Sequence, residues 1–266
     1  MTLRFPSRMV CASLAFCASA MACADAPAPE AGPRKPATQY VVGIDISGSR
    51  TVTQLKEAER LLEQLIGRMS YGDRIVLVET YQTNSDAAEQ WDDSVPPLRR
   101  PGTASGSERN RLAEFHERAT TMAGTFFDTT KSKTVKSTDL LMMLARAADY
   151  ATASGGRKTT LLVLSDMLNS TPEVNMERVS NVPTSPWIAA RKAEQRLPDL
   201  RGVCVFIAGA DVTTRRGAKV RAFWSEYLSA AGAELASGGY RNMLPDASEI
   251  RCSGATDSPT GQTAGP

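Results

Sequence analysis

The chain has 266 residues, of which 42% are hydrophobic and 23% are charged. This is globular composition and excludes a disordered chain, a collagen and a coiled coil. The formal net charge is only +2, so no strong overall field draws the chain to nucleic acid or to an acidic membrane. The chain contains one histidine, His116, and five cysteines without a C-x-x-C pair. A histidine-rich zinc site, a zinc ribbon and a thioredoxin motif are therefore excluded.

The first 22 residues have the pattern of a secretory signal peptide. Arg4 and Arg8 precede an uncharged apolar stretch, residues 9–21, which is shorter than the roughly 20 residues that a membrane span needs. Small residues fit cleavage after residue 22 or 24. Cys23 could instead be the lipidated cysteine of a lipoprotein. We expect an exported protein of the periplasm or cell envelope, attached to the membrane only if Cys23 carries lipid.

The composition of the remaining chain predicts one domain between two irregular segments. Residues 23–38 are rich in proline and alanine and predict a tether, and residues 253–266 predict a disordered tail. Between them, residues 39–252 alternate short apolar runs with amphipathic stretches. This alternation predicts a single α/β domain with a doubly wound, mostly parallel sheet between helices. Residues 82–137 are less regular and predict an edge strand and an excursion, with a helix at 108–122.

The regular elements follow one another along this domain. Short apolar runs predict strands, and apolar residues at helical spacing predict helices. The strands are at 40–44, 74–81, 159–164 and 202–208, and the helices are at 52–66, 139–153, 186–197 and 218–230. Binding sites in such sheets form at the carboxyl ends of the strands. The polar residues that follow each strand are therefore the candidate site residues.

Five of these polar residues predict a cation site. Asp45, Ser47 and Ser49 form a D-x-S-x-S motif directly after the first strand, where residues two apart can point the same way. Thr138 precedes the second strong helix, and Asp166 follows the third strand. All five offer hard oxygen donors, which suit Mg²⁺, Mn²⁺ or Ca²⁺. Each could instead cap a helix or stabilise a turn, but their combination on a βα fold favours the metal site.

This set of residues resembles the metal-ion-dependent adhesion site of the von Willebrand factor A (VWA) family. The resemblance covers residues 40–235 and implies an exported bacterial protein with a VWA-like fold. It implies that the first aspartate and both serines bind the cation directly. It also implies that the threonine binds directly or through water, and the second aspartate usually through water. The family often has glycine before the threonine and after the second aspartate, where this chain has Ser137 and Met167.

The chemistry of such a site favours binding over catalysis. One direct carboxylate and neutral hydroxyls leave a divalent cation under-neutralised, with open positions for an outside oxygen. The resemblance accordingly implies a non-enzymatic module that captures an aspartate or glutamate of a partner protein. Because an acidic cluster without its cation repels itself, replacing Asp45 by alanine is expected to cost little stability.

Two alternatives remain open from the sequence. One is a metal-dependent phosphohydrolase of the haloacid-dehalogenase-like type, and the other is a structural domain whose site stays vacant. The hydrolase needs a second carboxylate two residues after the first aspartate, and this position holds Ser47. No P-loop, G-x-G-x-x-G or G-x-S-x-G motif occurs either.

The cysteines that survive export predict a disulfide. Cleavage removes Cys11 and Cys17 and leaves Cys204, Cys252 and, depending on the cleavage site, Cys23. A pair of cysteines in an oxidising compartment favours a bridge between Cys204 and Cys252. The alternative is that Cys204, in a buried strand, packs as a small apolar residue.

Overall fold

The computed structural model describes residues 36–82, 90–128, 137–243 and 246–252. The predicted signal peptide, the tether up to residue 35 and the predicted tail lie outside the described residues. Within those four ranges, no helix combines the length and the apolar character that crossing a membrane requires.

The described residues contain one large sheet and one small ribbon. In chain order the strands are β1 Thr38–Ile44, β2 Arg74–Glu79, β3 Tyr81–Gln82, β4 Gln90–Ser94, β5 Ser137–Thr138, β6 Lys158–Leu164, β7 Val203–Ala208 and β8 Glu234–Arg241. Strands β3 and β5 pair with each other. The other six form one sheet in the order β4-β2-β1-β6-β7-β8, in which only β4 runs antiparallel to its neighbour.

The strand order reverses direction between β1 and β6. From β1 the chain continues outward to β2, whereas from β6 it continues the other way to β7 and β8. The two central strands are parallel, and their last residues, Ile44 and Leu164, lie side by side. A reversal of this kind opens a crevice at the carboxyl ends of the two strands. The fold therefore places the residues after Ile44 and Leu164 at its natural binding edge.

Among the described residues, five α-helices cover both faces of the sheet. They are α1 Val52–Arg68, α2 Gly106–Phe126, α3 Leu140–Thr152, α4 Ser185–Ala193 and α5 Arg215–Ala230. Helices α1 and α2 pack on one face, and α3, α4 and α5 pack on the other. The central strands are buried on both faces, which explains their continuous apolar runs. The doubly wound, mostly parallel α/β fold predicted from the sequence is confirmed.

Two features of the C-terminal half differ from the prediction. The helix predicted at 186–197 ends at Ala193, because Gln195 takes a left-handed conformation (φ 56°) and Pro198 follows soon after. Strand β8 was not predicted at all. Its sequence ELASGGYR lacks an apolar run, and its pairing with β7 shifts register between Val205 and Ile207.

The predicted disulfide between Cys204 and Cys252 is confirmed. The two residues are 48 positions apart in the chain, and their Cα atoms are 5.9 Å apart. Cys204 is buried in β7, and the Cys252 sulfur lies 3.4 Å from the Thr160 hydroxyl of the neighbouring strand β6. The bridge therefore fastens the segment that follows β8 to the neighbouring strand β7.

Candidate metal site

The site is built where the chain leaves β1 and β6. The Asp45 amide donates a hydrogen bond to the Leu164 carbonyl (3.1 Å), which continues the pairing of the two strands by one residue. The Asp45 carboxylate accepts a bond from the Ser165 hydroxyl (2.6 Å) and another from the Ser47 amide (2.9 Å). Asp45 is fully buried, with 0% of the residue exposed to solvent. A cation can therefore reach this carboxylate only by entering the cluster.

The two motif serines and Asp166 complete the cluster. The Ser47 and Ser49 hydroxyl oxygens are 3.0 Å apart, and the Ser49 side chain is near enough to the Asp166 carboxyl group to lower its pKa. Adjacent ligands of an octahedral Mg²⁺, each about 2.1 Å from the ion, are separated by about 3 Å. The serine pair therefore fits two neighbouring positions of one such cation. In the part of the chain that the structure describes, no cluster of three His, Cys, Asp or Glu side chains could hold a metal, so a cation here must also use hydroxyl oxygens.

Burial and charge act together on Asp166. Removal from water is the main cause that raises the pKa of its carboxyl group, and the nearby Asp45 charge raises it further. The Ser49 side chain, the hydrogen bond from the Leu168 amide (2.9 Å) and the Arg50 charge partly offset these two effects, and the resulting pKa is about 6. The protein alone thus disfavours two full negative charges at this edge.

Thr138 lies at the same edge in strand β5. The following residue, Asp139, donates its amide to the Thr80 carbonyl, and the Thr80 amide donates to the Ile44 carbonyl at the end of β1 (3.1 Å). The Thr138 amide donates to the Ser170 hydroxyl (2.8 Å), and the Ser170 amide donates back to the Thr138 carbonyl (2.9 Å). These bonds hold the backbone of the buried Thr138 between the end of β1 and the loop that carries Asp166.

Two residues of the cluster were not among the five predicted ligands. Ser165 directly precedes Asp166, and Arg50 directly follows the D-x-S-x-S motif. Arg50 is buried, and its Nη1 donates to the carbonyls of Asp45 (2.7 Å) and Leu164 (3.0 Å). A positive side chain just before the N-terminus of α1, where the helix dipole disfavours it, is the signal that could have identified Arg50.

Arg50 also changes one expectation from the sequence. Its guanidinium charge interacts favourably with both Asp45 and Asp166. The cluster is therefore not purely acidic, and repulsion between its carboxylates is only one of the charge interactions that Asp45 makes. Replacing Asp45 is now expected to destabilise the domain, since it leaves a buried guanidinium with less compensating charge.

Met167 occupies the place where the VWA family often has glycine. It takes the left-handed conformation that glycine adopts readily (φ 65°), so the turn after Asp166 keeps that backbone geometry. The Met167 side chain is buried in the core on the α5 side of the sheet. Trp224 of α5 fixes the turn by donating its indole N–H to the Met167 carbonyl (2.9 Å).

We expect Met167→Gly to lower the free energy of unfolding by about 1–3 kcal/mol. Relief of the left-handed backbone gains about 1–2 kcal/mol, whereas loss of a buried methionine side chain costs about 2–5 kcal/mol. Urea denaturation measures the difference. Met167→Leu, which keeps the burial, is the control and should change stability by less than about 1.5 kcal/mol. A Met167→Gly variant more stable than the parent would contradict this balance.

Comparison with known proteins gives similarities of fold only. No protein-family model matches the sequence, and no curated protein matches it. An aerotolerance-related membrane protein from Bacteroides fragilis is 13% identical with a TM-score of 0.42, over 80% of this chain and 94% of that one. The human COPII-coat protein Sec24c is 10% identical with a TM-score of 0.36, over 74% of this chain and 28% of that one. A von Willebrand factor type A protein from Catenulispora acidiphila is 12% identical with a TM-score of 0.31, over 76% of this chain and 44% of that one.

Proposed function

We propose that this chain is an exported, non-enzymatic protein-binding module that captures an acidic side chain of a partner protein through a divalent cation. The cation is Mg²⁺, with Mn²⁺ or Ca²⁺ as substitutes. The observation that carries the proposal is the convergence of carboxylate and hydroxyl oxygens from Asp45, Ser47, Ser49 and Asp166 at the reversal point of the sheet. Hard oxygen donors of this kind are the ligands that these cations prefer.

Each residue has a distinct role in this proposal. Ser47 and Ser49 would hold the cation through their neighbouring hydroxyl oxygens, and Asp45 would supply negative charge from inside the cluster. Asp166 and Thr138 would complete the site directly or through water. The bound cation supplies a coordination position that an outside carboxylate can fill.

The edge of the sheet that carries the cluster also carries exposed apolar side chains. Three large hydrophobic side chains are exposed among the described residues: Val52 (62%), Val212 (36%) and Met243 (46%). They follow β1, β7 and β8, so all three lie on the carboxyl edge of the sheet, as the cluster does. A partner protein bound at this edge would gain apolar contacts with these side chains in addition to coordination of the cation.

Capture of a partner from envelope extract tests the proposal. The full chain is used as bait with Mg²⁺, with a chelator, and as Asp45→Ala. We expect capture only by the parent protein with Mg²⁺, and we expect Thr138→Ala to weaken partner binding more than cation binding. Asp211→Ala is the matched control, because Asp211 also follows a strand at this edge but accepts its hydrogen bonds from Thr213 and Thr214. Equal capture under all conditions would mean that the cation site is not the binding surface.

Mass spectrometry of the mature N-terminus tests export. We expect the chain to begin at Cys23 or at Asp25, because the small residues before them fit signal-peptidase cleavage. Acyl chains on Cys23 would establish membrane attachment through lipid. An intact Met1 on the cytoplasmic protein would contradict export.

A further inference from the structure

The Arg50 side chain joins three elements at the centre of the candidate site. Besides its bonds to the carbonyls of Asp45 and Leu164, its Nη2 donates to the Gln54 carbonyl in the first turn of α1 (3.3 Å). The residue is only 7% exposed, and its Nε has no hydrogen-bond partner among the described residues. A buried guanidinium with an unsatisfied N–H is costly, so hydrogen bonding alone does not account for its position.

The fold leaves room for this guanidinium. Gly209, directly after β7, has a φ of 114°, and a Cβ atom there would lie 3.1 Å from the Arg50 Nη2 and 2.9 Å from the Ser165 carbonyl oxygen. Any larger residue at this position would crowd the guanidinium and the backbone of β6. Three neighbouring strand ends, those of β1, β6 and β7, thus surround the Arg50 side chain.

Attraction to two nearby carboxylates accounts for the buried position of Arg50, which the hydrogen bonds alone do not explain. Asp45 is fully buried and Asp166 is half-buried, so both carboxylates lie in a region where water screens charge poorly. The guanidinium attracts both of them. One fixed positive charge therefore offsets part of the negative charge that a divalent cation would offset when bound.

We propose that Arg50 is the internal counter-ion of the site, a positioning residue that keeps Asp45 and the two strand ends in place when no cation is bound. The inference rests on the proposed function only in treating the cluster as a cation site. The coupling that it predicts is measured without any cation, so its outcome is separate from that of cation binding.

A double-mutant cycle in the presence of EDTA tests this role. Asp45→Asn removes the charge but keeps an oxygen that can accept the bond from the Ser47 amide. Arg50→Gln removes the partner charge, and Arg50→Lys keeps it. We expect Asp45→Asn to lower the folding equilibrium constant about tenfold in the parent, and less than about twofold with Arg50→Gln. With Arg50→Lys most of the tenfold loss should remain, because the charge remains.

The matched control is Asp73→Asn at the other end of the sheet. Asp73 is also buried and accepts two backbone N–H bonds, from Thr38 (2.8 Å) and Ser70 (2.9 Å). The loss of stability caused by Asp73→Asn should be the same in the parent and in Arg50→Gln. If Arg50→Gln alone does not fold, restoration of folding by adding Asp45→Asn supports the proposal, and failure to restore it overturns the proposal. An equal loss from Asp45→Asn in all three backgrounds would also overturn it, since Arg50 would then only tie backbone carbonyls together.

Discussion

Replacing Cys204 and Cys252 together by alanine is expected to lower the free energy of unfolding by about 4 kcal/mol. The bridge closes a loop of 48 positions, and a loop of that length restricts the unfolded chain by roughly this amount. In the folded protein the bridge also fastens the segment after β8, including the short helix Ala247–Glu249 that packs on the α1 face of the sheet. Denaturant titration of the oxidised parent and of the double variant measures the difference.

The same variant should leave cation binding unchanged. Cys204 is near the amino end of β7, whereas the candidate site lies at the carboxyl ends of β1 and β6. The reduced parent protein is the control and should match the double variant in stability. If the free energies of unfolding of the oxidised and the reduced protein differed by less than about 1 kcal/mol, the bridge would restrict the unfolded chain very little.

Asp45→Asn is expected to weaken Mg²⁺ binding by about a hundredfold or more. The substitution keeps the shape of the side chain but removes the charge of the buried carboxylate that accepts the Ser47 amide. Substitutions behind a metal's direct ligands already weaken affinity by about 10- to 100-fold, so loss of a charge inside the cluster should be at least as severe. Isothermal titration of the folded variants with Mg²⁺ measures the affinity.

Asp73→Asn separates this effect from a general loss of stability. Both aspartates are buried and accept backbone N–H bonds, but Asp73 lies at the amino end of β2. We expect Asp73→Asn to lose stability while keeping its Mg²⁺ affinity. Equal affinity in the parent and in Asp45→Asn would show that the Asp45 carboxylate takes no part in holding the cation.

The fold was predictable wherever burial dictated the residue types. Strands β1, β6 and β7 are buried on both faces, and their sequences are continuous apolar runs. The sequence therefore predicts their number and their order along the chain. Strand β8 escaped prediction because it is an edge strand with two glycines and a shift in register. In that strand the backbone pairing with β7, more than the side-chain pattern, determines the structure.

The site was predictable to a smaller extent. Asp45, Ser47, Ser49 and Asp166 follow strands, and the structure brings them together in one cluster with Ser165. Arg50 could not be assigned from the motif, because its role depends on a space bounded by three strand ends that are far apart in sequence. The left-handed turn at Met167 was also hidden, because the backbone conformation departs from what a methionine favours.

An anomalous difference map from crystals grown with Mn²⁺ tests the central claim most directly. Mn²⁺ takes the same oxygen ligands as Mg²⁺ and scatters anomalously, so the map locates the ion without assuming its position. The account predicts one strong peak about 2.1 Å from the Ser47 and Ser49 hydroxyl oxygens, beside the carboxylates of Asp45 and Asp166. A map with no peak at these residues, at a Mn²⁺ concentration that saturates the protein in solution, would contradict it.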